Sequence, residues 1–208
     1  GWLCDVGVLQ NLCSSIPCKL FFNIVMHQVR AFDARGFKAA ILVTGHYGGI
    51  EIFLRLLCEY YVMASGSPIQ LYACADWELN PEYGGDHAGK IETSQLMTIS
   101  PEHVDLERRQ VDAELGGKYA GLMSFEPDEI ASREFGEAMV SGQVAEMGRK
   151  KDELLANYKE QEDWRAPDQN RTEEIWQSFW AKVGPYADCS YEDYKNGKMN
   201  EFPGWDKV

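Results

Sequence analysis

Two short apolar runs, Phe37–Val43 and Ile69–Ala75, flank a segment whose apolar residues Ile50, Phe53, Leu54, Leu57, Cys58 and Tyr61 recur at helical spacing. Each run is too short for an ordinary helix and follows a glycine-bearing turn, Arg35-Gly36 before the first and Ser65-Gly66-Ser67-Pro68 before the second. Strand, helix and strand joined by short connections form a parallel βαβ unit, and parallel strands covered on both faces read as continuous apolar runs. The pattern therefore predicts an α/β fold with buried parallel strands. A helical period from Leu20 puts Phe21, Ile24, Val25, Val29 and Phe32 on one face and stops at Gly36, adding a helix ahead of the first strand.

In open sheets of this kind, ligands bind beyond the carboxyl ends of the strands. Both predicted strands run into polar segments there. The first is Thr44-Gly45-His46-Tyr47-Gly48-Gly49. The second is Asp76-Trp77-Glu78-Leu79-Asn80-Pro81, and the chain then reaches Asp86-His87-Ala88-Gly89-Lys90-Ile91-Glu92-Thr93-Ser94. This last stretch crowds an acid, an imidazole and a second carboxylate at a loop-to-helix junction, where such groups are costly to bury without partners. His46 as a neutral imidazole can bind a divalent metal, Glu92 can supply an oxygen ligand, and His87 can act as acid or base near neutral pH. Gly45, Gly48 and Gly49 let a ligand approach the backbone closely.

Plainer readings stand beside these. His46 can be a structural loop residue, Glu92 first-turn helix chemistry, and Asp76-Trp77 a turn followed by a core aromatic. The Gly48-Gly49 turn can also cradle a phosphate at a helix N-terminus, although neither the Lys-Ser/Thr phosphate loop nor G-x-G-x-x-G is present. Beyond Pro101 the chain changes character. Residues 102–131 read as an irregular excursion with strand-like pieces such as Tyr119–Met123. Ser132 reads as the N-cap of a long helix reaching about Tyr158, and Glu173–Val183 is a helical piece in an otherwise loop-like end.

Composition narrows the function classes. The chain has 208 residues, 45% of them hydrophobic, enough for one domain with a core. A net charge of −13 argues against nucleic acid and anionic membranes as partners. No apolar run approaches the roughly 18 residues of a membrane span, and no signal-peptide pattern opens the sequence. None of the six cysteines forms a C-x-x-C pair, and Cys58 and Cys74 lie inside apolar runs as expected of buried thiols. These features lead to the expectation of a reducing, cytoplasmic setting.

The polar clusters resemble a known family. Thr44–Gly49 is similar to the N-G-H-G-G-N segment of creatininase-type amidohydrolases, and Asp86–Ser94 is similar to their H-A-G-x-x-E-T-S segment. The spacing agrees, as does the intervening strand that ends in Asp76-Trp77. Ser100–Asp105 and Ser132–Ala138 resemble later family segments, so the likeness covers about residues 20–158. It implies a three-layer α/β/α fold with a mostly parallel central sheet. One domain would span residues 1–208, with 159–208 as a C-terminal extension. It also implies hydrolysis of a small cyclic amide or formamide at a divalent metal site (zinc, manganese or iron), in a homo-oligomer. By this resemblance His46 and Glu92 are metal ligands and His87 is the catalytic proton-transfer residue. Trp77, Tyr47, Asp86, Gly48 and Gly49 are the expected substrate contacts.

The chain departs from the family at definite places. The E-x-H-x-x-x-L-P-x-x-x-D segment that supplies Glu, His and Asp ligands does not occur before His46. Gly48 stands where creatininase has a ligating Glu, and Thr44 and Ile50 replace two Asn residues. Two protein ligands rarely hold a catalytic metal, three being the usual minimum for zinc. The expected metal is therefore one that is partly bound or lost. The alternative expectation is a non-catalytic or truncated member acting as a binding or structural protein.

Overall fold

Helix α1 (Cys18–Ala34) ends in a turn that its sequence dictates. Gly36 adopts φ +78°, a left-handed conformation that glycine enters without penalty. This lets the Gly36 N–H reach the Asp33 carbonyl at 2.9 Å and the Phe37 N–H reach the Phe32 carbonyl at 3.1 Å. The pair of bonds is a Schellman motif, and its usual apolar clasp is present, with the Phe32 and Phe37 rings 5.6 Å apart. The helix thus stops where the sequence predicts and delivers the chain into β1 (Ala39–Thr44).

In this computed structural model the described residues are 16–46, 50–108, 111–112, 118–119 and 130–187. They fall into two compact units, one within Gly1–Ala75 and Lys150–Val208 and the other within Asp76–Arg149.

In the first unit, α2 (Ile50–Ser65) connects β1 to β2 (Gln70–Ala75). The two strands pair in parallel from Ala39↔Gln70 to Thr44↔Ala75, which is the expected βαβ unit. Ile50, Phe53, Leu54, Leu57, Cys58 and Tyr61 are all buried, as their spacing predicts. The face of α1 is rotated from the expectation. Cys18, Phe22, Met26 and Val29 are buried, Phe21, Val25 and Phe32 only flank the core, and Ile24 is 49% exposed. The apolar stripe of α1 is wide enough to allow either rotation, and packing of Phe22 against Phe53 selects one. The expectation of fully buried strands holds for Ala73–Ala75 but not for β1, where Val43 is 43% exposed. Among the described residues β1 pairs with a strand along one edge only.

Helix α5 (Gln169–Ala187) lies within the stretch read from sequence as an extension, yet it completes this core. Asp168 Oδ1 caps it by accepting the Arg171 N–H at 2.8 Å. Ile175, Trp176, Phe179 and Val183 join Phe22, Phe53 and Leu57 in one cluster, with Trp176 the largest fully buried side chain. Burying one such side chain contributes about 1.5–3 kcal/mol, so α5 is a structural part of the unit. Residues 188–208, including Cys189, lie outside the described residues, as do Cys4 and Cys13.

In the second unit a 3-10 turn (Asp76–Leu79) leads to α3 (Lys90–Ile99), two further 3-10 turns, and the short antiparallel pair β3 (Val111–Asp112) and β4 (Lys118–Tyr119). The predicted strand-like piece Tyr119–Met123 is described only at Tyr119. Helix α4 (Arg133–Asn157) begins where Ser132 was expected to cap it, with Ser132 Oγ accepting the Phe135 N–H at 3.1 Å. α3 and α4 meet closely at Gly136, where a Cβ would overlap the Ser94 carbonyl and Thr98 Oγ1. Ser94, fully buried, donates to the Lys90 carbonyl at 2.6 Å and accepts the Ser132 N–H at 3.0 Å, tying the two helices together.

Candidate active site

The motif Asp86–Ser94 folds back on itself around the N-terminus of α3. Gly89 occupies the N-cap position and has no side chain with which to cap. Asp86 takes over that task from three residues upstream. Its Oδ2 accepts the Ile91 N–H at 2.7 Å and its Oδ1 accepts the Glu92 N–H at 3.0 Å. Both amides are unbonded within the helix, and the carboxylate also complements the positive end of the helix dipole. Asp86 is 7% exposed, so these bonds offset the cost of burying its charge.

The same turn fixes the two other chemical groups. Ala88 adopts φ +55°, an uncommon conformation for a residue with a Cβ. Its N–H donates to Glu92 Oε2 at 2.8 Å, and its carbonyl accepts from Thr93 Oγ1 at 3.2 Å. Glu92 Oε1 stands 3.9 Å from His87 Nδ1, within ion-pair reach of a protonated imidazole. Both side chains are about one-third exposed. The arrangement is an accessible imidazole beside a carboxylate that the Ala88 N–H anchors.

Asp76 directly follows β2. Its Oδ2 accepts from Gln95 Nε2 at 3.3 Å, and Gln143 Nε2 donates to its backbone carbonyl at 3.0 Å. Gln95 Nε2 also reaches Gln143 Oε1 at 3.3 Å. Trp77 is partly buried. Gln95 and Gln143 escaped the sequence reading. Gln95 was in principle visible, since it lies one turn beyond Glu92 on the same helix face. Gln143 carries no signal among the many polar residues of α4.

In the other unit, Thr44 Oγ1 accepts the His46 N–H at 3.1 Å and reaches the His46 carbonyl at 3.2 Å, closing a tight turn directly after β1. His46 is partly buried. Tyr47, Gly48 and Gly49 lie outside the described residues. The structure therefore brings together Asp86, His87 and Glu92, and sets Asp76 against Gln95 of the same helix. Among the described residues no group of three or more His, Cys, Asp or Glu side chains could hold a metal ion. The described residues alone do not fit a catalytic metal.

Comparison with known proteins agrees with the motifs. Residues 11–152 match the creatininase family, creatinine amidohydrolase. No curated protein sequence matches the chain. Among solved structures, that of a creatinine amidohydrolase (creatininase) is 20% identical, with a TM-score of 0.54, covering 69% of this chain and 66% of that one. A second, described as "Creatininase Mn", is 21% identical with a TM-score of 0.51 and the same coverage. A protein of Bacteroides fragilis NCTC 9343 described as a candidate creatinine amidohydrolase is 20% identical with a TM-score of 0.52, covering 69% and 64%. The chain thus spans just under two thirds of the length of these structures and shares their α/β fold. With more than half of its residues matched and the Asp86–Ser94 turn built as described, the chain belongs to the creatininase family.

Proposed function

We propose that the chain hydrolyses the C–N bond of a small, non-peptide amide, cyclic or a formamide, with His87 as the proton-transfer residue. The observation that carries this reading is the His87–Glu92 pair, an accessible imidazole 3.9 Å from a carboxylate that is itself anchored by the Ala88 N–H. An amide resists hydrolysis because its nitrogen leaves poorly unless protonated. An imidazole can deliver that proton, and a neighbouring carboxylate can orient the ring. Asp86 acts one step back, holding the helix end from which Glu92 projects. Trp77, Asp86, Tyr47, Gly48 and Gly49 are the proposed substrate contacts, and His46 and Glu92 the proposed metal ligands, all on family resemblance.

The test is product analysis on a panel of cyclic amides and formamides. With the wild type, each cyclic amide should give one ring-opened product bearing both amine and carboxylate and each formamide equal amounts of amine and formate, and His87→Ala should lose on the order of 100-fold or more in rate. An unimpaired His87→Ala enzyme would overturn the assignment. Metal ligation is tested separately, by elemental analysis showing bound zinc, manganese or iron that His46→Ala removes.

A binding or structural role is the second reading. It is favoured by the use of both Asp86 oxygens and of Glu92 Oε2 to hold backbone amides. That reading predicts no turnover of any amide by the wild type. A homo-oligomer is proposed by resemblance and a cytoplasmic location from the cysteine pattern, and among the described residues no helix is long and apolar enough to cross a membrane.

A further inference from the structure

In the first unit, the turn after α1 and residues 158–166 line a cavity of about 400 Å3, within the roughly 300–1,000 Å3 of small-molecule sites. Two of its lining residues, Phe37 and Pro68, lie just ahead of β1 and β2, so it sits at the amino ends of the strands, whereas the His46 turn follows the carboxyl end of β1. Residues 158–166 also fall outside the segment 11–152 that matches the creatininase family. Three aromatic residues share the lining, Phe37, Tyr158 and Trp164, together with two acids, Glu160 and Glu162. Phe37 is 52% exposed, and Lys38 Nζ stands 5.3 Å from the centre of the Tyr158 ring, so this ring already attracts an ammonium of the chain itself.

The charges of the two acids are not neutralised from within. Among the described residues, neither the Glu160 nor the Glu162 carboxylate has an ion-pair or hydrogen-bond partner. Arg165 shares the lining, yet its Nη1 donates to the backbone carbonyls of Glu162 at 3.0 Å and Trp164 at 2.7 Å. The guanidinium therefore shapes the loop instead of pairing with the acids. The loop is held further by the Trp164 N–H on the Gln161 carbonyl at 3.2 Å and by Arg30 Nε on the Pro167 carbonyl at 2.8 Å. Asp33 contributes a third carboxyl to the wall, but it is 6% exposed and accepts the Tyr61 hydroxyl at 2.6 Å, so it serves the fold.

We propose that this cavity is a second binding site, which takes a small organic cation with a methylated ammonium head, its charge met by Glu160 and Glu162 and its methyl groups by Phe37, Tyr158 and Trp164. Aromatic faces attract cations, and quaternary ammonium groups combine that charge with an apolar surface. A bare ammonium is strongly hydrated and loses more on entering such a lining. Anions are repelled by the two free carboxylates and by a chain of net charge −13. The site is independent of the His87 reading and shares no residue with it.

The experiment titrates choline and 3,3-dimethyl-1-butanol, in which carbon replaces the charged nitrogen, by ligand-observed NMR at fixed ionic strength. The proteins are wild type, Trp164→Leu and the double variant Glu160→Gln with Glu162→Gln, each checked by thermal unfolding. Wild type should bind choline about tenfold more tightly than the neutral isostere or better. Trp164→Leu should weaken choline by about fivefold or more. The double variant changes two exposed side chains, so it should melt like wild type while losing most of the preference for choline. If Trp164→Leu does not fold, the double variant alone decides. Equal binding of both probes by wild type, absence of saturable choline binding, or a preference for choline that survives in the double variant overturns the proposal.

Discussion

Asp86 Oδ1 accepts the backbone N–H of Glu92 at 3.0 Å, so the first residue of the Asp86–Ser94 motif positions its second carboxylate. Together with the Ile91 N–H at 2.7 Å, this bond supplies the cap that Gly89 lacks. Asp86→Ala should therefore cost about 1–2 kcal/mol, at the upper end for a lost N-cap. It should also lower any amidohydrolase activity by displacing Glu92 and with it the His87 ring. Asp86→Asn, which keeps an acceptor oxygen, should recover part of both. Denaturant unfolding of the three proteins checks this, and an Asp86→Ala protein as stable as wild type would contradict the capping role.

Gly136 gives a second structural test. Alanine is the better helix former by about 1 kcal/mol, yet a Cβ at Gly136 would overlap the Ser94 carbonyl and Thr98 Oγ1. Separation of α3 from α4 would also strain the bond from the Ser132 N–H to Ser94 Oγ. Gly136→Ala should lower stability by about 1–3 kcal/mol, the usual cost of overpacking. A raised melting temperature would show that α3 and α4 do not approach as described.

These two positions show what could be read from the sequence. Ser132 was legible as a cap because the signal is local, a hydroxyl directly before a helix with carboxylates in its first turn. The α2 face was legible because its apolar residues recur at helical spacing. Asp86 was read as a substrate contact and not as a cap, since it reaches the helix from outside the N-cap position. The wide apolar surface of α1 left its rotation to be decided by Phe53, a contact distant in sequence. Trp176 and Phe179 lie amid polar residues, and their burial depends on α5 meeting α1 and α2. His46 and His87 stand out in the sequence by residue type and position, whereas the bonds of Gln95 and Gln143 to Asp76 exist only in three dimensions.

Asp33 makes stability depend on pH in an unusual direction. It is 6% exposed, and burial raises its carboxyl above the ordinary 3.8 despite the opposing hydrogen bonds from Tyr61 and Ser67 and the Arg30 charge. The native state thus binds the proton more tightly than the unfolded chain. Its stability gains as pH falls through the raised native value, and the gain is complete below the unfolded value. Asp33→Asn keeps an acceptor for the Tyr61 hydroxyl, 2.6 Å away, and removes this dependence. The difference in unfolding free energy, wild type minus Asp33→Asn, should shift in favour of the wild type as pH is lowered. The opposite slope would contradict it.

Cys58 is buried, which pushes its thiol up to about 12, with the Glu59 charge adding to the effect. The thiolate is the reactive form. Alkylation at mildly alkaline pH, followed by mass spectrometry of the peptide that contains Cys58, should therefore show labelling only as fast as the unit unfolds. Rapid labelling under native conditions would contradict its burial.

The central claim is that the His87 imidazole transfers the proton in amide hydrolysis. Its most direct test is chemical rescue, measured as the rate of C–N bond cleavage by His87→Ala with and without added imidazole. The account predicts that the variant is slowed on the order of 100-fold or more and that imidazole restores part of the rate in proportion to its concentration, with no effect on wild type. Full activity of His87→Ala without imidazole would contradict it.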